Sequence, residues 1–191
     1  MQFKEVLKKT WNFLKADTWQ SWLVSIILII VIIKFIFFPL LSLATGTSLP
    51  LVVVESCSMY HESNFNSWWS QNGAWYEQHN ITEAEFEKFT LMNGLNKGDI
   101  VFVSGKGNYK IGDIIIFSSS QAQYPIIHRV VSLSPLETKG DHNSGQLIGI
   151  EDNINPNLVI GKAVGKIPAL GWIKLIFFEP FKSPQDRGFC N

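Results

Sequence analysis

With 191 residues, and 16 Lys and Arg balanced by 16 Asp and Glu, the chain has room for one modest domain plus a membrane element and carries no formal net charge. That balance, with no basic strip and no phosphate-binding loop, removes the electrostatic basis for a nucleic-acid partner, and no internal repeat points to a solenoid. Hydrophobic residues make up 46% of the sequence, but the apolar excess lies near the N-terminus, and the remainder has the alternation and turn residues of a folded water-soluble domain.

Residues 1–20 read as a short cytoplasmic segment and residues 21–43 as a transmembrane helix. From Ser21 to Leu43 the chain is nearly all aliphatic and aromatic, interrupted by Lys34 and Pro39, close to the roughly 20 residues needed to cross about 30 Å of hydrocarbon. Lys4, Lys8, Lys9 and Lys15 precede the span against Glu5 and Asp17, while after Lys34 no charge occurs until Glu55. The positive-inside rule therefore predicts a cytoplasmic N-terminus and an extracytoplasmic remainder. Lys34 is costly in mid-bilayer and is expected to snorkel toward the outer interface.

Beyond Leu49 short β-rich runs alternate with turn signals. Leu51–Ser58, Asp99–Ser104, Asp113–Ser118, Ile126–Leu133, Gln146–Ile150 and Val159–Ile167 are the expected strands, giving a mainly β domain over residues 44–168, an antiparallel barrel or sandwich. Residues 62–97 form an insert carrying Trp68, Trp69, Trp75 and Tyr76, expected as a surface element that the domain tolerates losing. Within it Thr82-Glu83-Ala84-Glu85 is a capping box that opens a helix to about Met92, and Asn80-Ile81-Thr82 is a glycosylation acceptor pattern, meaningful only outside the cytoplasm. Residues 169–191 are aromatic and suit an interfacial segment, too short and interrupted to span.

In a strand Leu51–Ser58, Ser56 and Ser58 share one face and Cys57 points to the other. Ser58 can then act as nucleophile, with the Ser56 hydroxyl and the Ser58 backbone N–H donating to the oxyanion. A thiol nucleophile at Cys57 is the alternative, and its opposite-face position argues against it. A serine needs a base, and His128 lies in an apolar β run where a polar ring must find a partner. His61 suits local packing or substrate contact, His79 a solvated loop, and His142 a hydrogen-bonded turn. A carboxylate must in turn hold the imidazole; Asp141 and Asp152 both qualify by residue type. Cys57 and Cys190 are the two cysteines, and a bond between them requires the tail to reach the serine motif, so cysteine usage is expected to add little.

Ser56-Cys57-Ser58-Met59, Gly112-Asp113-Ile114-Ile115-Ile116-Phe117, Ile127-His128-Arg129-Val130 and Thr138-Lys139-Gly140-Asp141-His142-Asn143, in this order after an N-terminal span, resemble the boxes of type I signal peptidases. Histidine where bacterial enzymes carry a general-base lysine resembles the archaeal and endoplasmic-reticulum branch. The resemblance implies a serine endopeptidase, without metal or cofactor, that removes signal peptides from exported preproteins at the cell membrane. Its partners would be those preproteins, membrane lipid and the protein-export translocon. It also implies Ser58 as nucleophile, His128 as base, Asp152 as the triad acid and Asp141 as a structural neighbour of the site. Two other functions fit the same residues: a noncatalytic membrane-anchored binding protein on this fold, and a processing protease for pilin or surface-protein precursors.

Overall fold

A computed structural model describes residues 2–190 and divides the chain into two compact units, one ending at Ala44 and one beginning at Thr45. In the first, helix α1 (Gln2–Leu14) is followed by α2 (Trp19–Ile32), a π-helical stretch (Ile33–Phe37) and α3 (Phe38–Thr45). The Thr18 side chain caps α2 by accepting the Ser21 N–H, as an N-cap residue should. Pro39 has no N–H to offer and its ring crowds the carbonyl four residues back. The widened π turn just before it, closed by Phe38 N–H to Ile33 O, accommodates this defect without ending the helix. Trp19–Thr45 is thus a continuous 27-residue helix, long and apolar enough to cross a membrane.

The second unit is built on one six-stranded antiparallel sheet in the order β1-β2-β6-β3-β4-β5. Its strands are β1 (Leu51–Val53), β2 (Ile100–Ser104), β3 (Ile114–Phe117), β4 (Ile126–Leu133), β5 (Leu136–Lys139) and β6 (Val159–Ile167). No pairing of β1 with β5 closes this sheet among the described residues, so the expected barrel or sandwich is an open sheet. Strand β3 is buried along its whole length because apolar clusters lie on both its faces. Ile114 and Ile116 join Val54, Met59, Leu95, Val101, Val103 and Ala163, while Ile115 and Phe117 join Val130, Leu136 and Ile154. That two-sided burial explains an uninterrupted apolar run where alternation would mark a half-exposed strand.

Two expected strands differ. Gln146–Ile150 is a turn, whose apolar residues Leu147 and Ile148 are exposed, and its place in the sheet is taken by β5, formed by the mixed sequence Leu136-Glu137-Thr138-Lys139. The expected strand Leu51–Ser58 stops at Val53, and Glu55 to Tyr60 form a turn closed by Tyr60 N–H to Cys57 O.

The insert contributes α4 (Phe65–Gln78) and a single turn, α5 (Glu83–Phe86), opened by the Thr82–Glu85 capping box. Beyond Glu87 the chain leaves the helix, short of Met92. The insert is no surface appendage. Phe65, Trp68, Trp69, Tyr76, Ile81 and Phe86 make a third core together with Val131 of β4. Between Val130 and Ser132 the register of β4 on β5 shifts, and this bulge turns Val131 into the insert core.

Candidate active site

The serine turn projects from the end of β1 and is held from behind. Ser58 O accepts the His142 N–H at 2.8 Å and Met59 O accepts the Leu95 N–H at 2.8 Å, while Met59 is buried. Ser56 and Ser58 share a hydrogen bond between their hydroxyls at 3.2 Å. The face-sharing expected from a strand is therefore met by a turn.

His128 sits in β4 opposite Ile115 and is buried. Its Nδ1 bonds the Glu151 carboxylate through Oε1. An ionised carboxylate only accepts, so Nδ1 carries the hydrogen and Nε2 is left with its lone pair free to take a proton. Gly140 shows where that nitrogen lies. A Cβ placed on Gly140 would stand 2.8 Å from His128 Nε2, 2.8 Å from Ser58 O and 2.6 Å from Asn143 Nδ2, so the absent side chain lets the basic edge of the imidazole and the serine turn approach one another.

The carboxylate on His128 is therefore Glu151, one residue before the expected Asp152. Glu151 is fully buried. Its backbone carbonyl accepts the Thr138 N–H at 3.1 Å, its Oε1 accepts the Thr138 hydroxyl at 3.2 Å, and its Oε2 accepts the Leu147 N–H at 2.7 Å. Asp152 points the other way: it is exposed and accepts the Gly149 N–H at 2.6 Å. Glu151 closes the turn from Leu147, its N–H donating to Leu147 O at 2.9 Å, whereas Asp152 forms an isolated bridge with Glu137 of β5.

Asp141 has different company. Arg129 reaches it with Nε at 2.9 Å and Nη2 at 2.6 Å, Tyr76 donates its hydroxyl at 2.8 Å, and His61 donates Nε2–H at 3.0 Å. Burial pushes this carboxyl up, but the Arg129 charge and the bonds from His61 and Arg129 override it and hold the group well below the usual carboxylate range. Arg129 spends its remaining donors on the carbonyls of Thr90, Leu91 and Gly112. Next to it, burial pulls the Lys139 ammonium down to about 8, against the attraction of Asp141 and Glu151. That ammonium donates to Gly140 O at 3.0 Å and lies over the Trp75 and Tyr76 rings. The Gly140 turn is thus fixed by Asp141 and Lys139, and both are gripped by the insert.

Cys57 is bonded to Cys190, with the two Cα atoms 5.5 Å apart. The tail does reach the serine motif, and Cys57 has no free thiol to act as nucleophile. His79 donates its Nδ1–H to Trp75 O at 2.7 Å, and His142 lies beside the Tyr60 ring. Sequence reasoning missed Glu151 and the disulfide. The available signal for Glu151 was only its position directly before Asp152. For the disulfide it was only the pairing of two cysteines in a domain expected outside the cytoplasm.

No protein-family model matches the chain. It is similar to signal peptidase complex catalytic subunits from Saccharomyces cerevisiae (27% identical over 158 residues, 76% of this chain and 75% of that protein) and Debaryomyces hansenii (27% over 124 residues, 56% and 74%). A third relative of the same description, from Dictyostelium discoideum, is 24% identical over 95 residues, 44% of this chain. The chain spans about three quarters of the length of the two yeast relatives and 53% of the Dictyostelium one.

Proposed function

We propose that this homologue of signal peptidase catalytic subunits is a membrane-anchored serine endopeptidase that removes signal peptides from exported preproteins. The observation that carries the reading is the Gly140 clamp: Ser58 backbone and His128 Nε2 flank one glycine, and a carboxylate holds Nδ1 behind it. His128 Nε2 takes the Ser58 hydroxyl proton as Ser58 Oγ attacks the scissile carbonyl, and Glu151 stabilises the imidazolium that forms. The Ser56 hydroxyl, already bonded to Ser58 Oγ, and the Ser58 N–H receive the oxyanion; one such donor is worth about 3 kcal/mol where measured. His128 then protonates the leaving amine and, acting again as base, activates the water that releases the acyl group. Asp141 touches none of these atoms and serves the Arg129 node.

The protein is assigned a single-pass cell-membrane topology with the N-terminus in the cytoplasm, which the N-terminal lysines support. The Cys57–Cys190 bond supports an extracytoplasmic catalytic domain, because disulfides persist on the oxidising side of a membrane. Signal-peptide-bearing preproteins, surrounding lipid and the export translocon are the proposed partners, and the word complex in the relatives' names favours additional subunits.

Processing of a purified preprotein in liposomes tests the reading. Ser58→Ala should abolish cleavage while the protein inserts and folds normally, and full cleavage by that variant would eliminate the serine mechanism.

A further inference from the structure

The turn that carries Ser58 has few bonds of its own. After Val54 it has no strand partner among the described residues, and the bonds at Ser58 O and Met59 O hold its inner side. Its outer side is held by the tail. The Glu55 carboxylate pairs with Lys174 at 2.8 Å, Glu55 O accepts from Lys182 Nζ at 3.2 Å, and Cys57 is bonded to Cys190. Glu55 and Cys57 straddle Ser56, and Cys57 directly precedes Ser58.

The tail is rooted in the domain at its start and tied back to that root near its end, where Asp186 O accepts from the Lys97 ammonium and the Gly188 N–H donates to Glu179 Oε2. Helix α6 (Trp172–Phe178) is fixed where Trp172 Nε1 donates to Lys97 O at 3.1 Å and Gly171 N–H to Gly98 O at 2.7 Å. The buried Lys97 ammonium pairs with Glu179 at 2.9 Å. Past that root there is little apolar anchorage: Phe181 is 87% exposed and Phe189 73% exposed, although Phe189 leans on the Trp172 ring at 4.5 Å. Exposed ion pairs such as Lys174–Glu55 are weak against the entropy of ordering a segment of this length. The Cys57–Cys190 bond adds to these contacts a covalent link between the end of the tail and the serine turn.

We propose that the segment from Trp172 to Cys190 is a disulfide-locked strap on the nucleophile turn, so that Cys190 and Lys182 are positioning residues for Ser58 and cleavage is fastest only with the Cys57–Cys190 bond closed. The strap rests on the reading of Ser58 as nucleophile. Opening it is a thiol–disulfide exchange. A dithiol attacks one sulfur, the Cys57–Cys190 bond breaks, and two protein thiols form as the dithiol is oxidised to its own disulfide, with two electrons and two protons transferred. Freed of the strap, the turn drifts from the His128 edge, and displacements of about 1 Å can cost on the order of a hundredfold in rate.

The test uses the full chain in liposomes with a preprotein substrate, comparing oxidised wild type, wild type with dithiothreitol, and Cys190→Ser with and without it. Hydrogen exchange of residues 54–61 is followed alongside. Reduction and Cys190→Ser should each lower kcat by about tenfold or more with little change in KM, and each should speed exchange of that turn. Dithiothreitol should have no further effect on the variant, and reoxidation should restore the wild type. Should Cys190→Ser fail to fold, reduced wild type with unchanged far-ultraviolet circular dichroism carries the comparison. Unchanged kcat and unchanged exchange after reduction overturn the strap. If oxidised wild type and Ser58→Ala are equally inactive, the peptidase reading fails instead, and exchange alone decides the strap.

Discussion

Glu151 and Asp152 are neighbours of opposite consequence. Glu151 fixes the tautomer of His128 through Nδ1 and would stabilise its cation, whereas Asp152 caps an exposed turn through the Gly149 N–H. Glu151→Gln keeps size and the Leu147 and Thr138 contacts but removes the charge that the imidazolium needs. Turnover should fall by about 10⁴ with the fold retained, the loss measured when a triad carboxylate becomes an amide. Asp152→Asn should cleave within a few-fold of wild type. Turnover and melting temperature measured together decide between them: a dead Asp152→Asn beside an active Glu151→Gln would return the acid to Asp152. At this scale the serine pair and the buried histidine were legible, because a motif and an apolar run mark them. The carboxylate that bonds His128 was not, because Glu151 and Asp152 are adjacent and differ only in the partners that the fold gives them.

The insert is the element whose role the sequence concealed most. Its tryptophans sit at helical spacing, a pattern that fits a core face or a docking face equally well, and only the bulge at Val131 shows which. Strand β5 was hidden in the same way, since Glu137, Thr138 and Lys139 look like a turn until Glu151 and Arg129 give them partners. Conversely β4 and β6 were readable end to end from their β-branched runs. The insert meets the site at His61, which stacks on Trp68 at 3.7 Å and donates to Asp141. The ring is buried, and its Nδ1 has no partner among the described residues. Burial lowers its pKa from 6.5, outweighing the bond to Asp141, which raises it. The native state therefore binds this proton less readily than the unfolded chain. The stability concerned is fully present above about pH 6.5 and is lost as pH falls through that value toward the depressed native pKa. Asp141 is held so low that it drops out only in strong acid, leaving the window below 6.5 to His61. Melting temperature should fall between pH 6.5 and 5 in wild type and fall less in His61→Gln, whose amide still donates to Asp141. Parallel curves would show that His61 does not titrate in that window.

At the scale of the whole molecule the proposed topology places one unit in lipid and another in water. Twenty-seven helical residues from Trp19 to Thr45 extend about 40 Å at 1.5 Å per residue, more than the roughly 30 Å of hydrocarbon. With Trp19 and Trp22 at the inner headgroups, Lys34 lies about 22 Å along the axis, deep enough to snorkel outward. In the proposed topology the β-domain would begin at the outer surface, where its disulfide can persist. A protease added outside sealed vesicles of native orientation should therefore cut the β-domain and spare Lys4 to Lys15. The packing of α4 shields the tryptophans from such a protease. Exposed turns are the preferred targets, so the nicks should fall around Tyr124, 68% exposed, and Ile148, 90% exposed, while Trp68 and Trp69 stay intact in their core. Cleavage confined to the N-terminal lysines would place the domain on the cytoplasmic side and reject the topology. Cleavage within α4 at the same rate as around Ile148 would reject the packed insert and leave the topology standing.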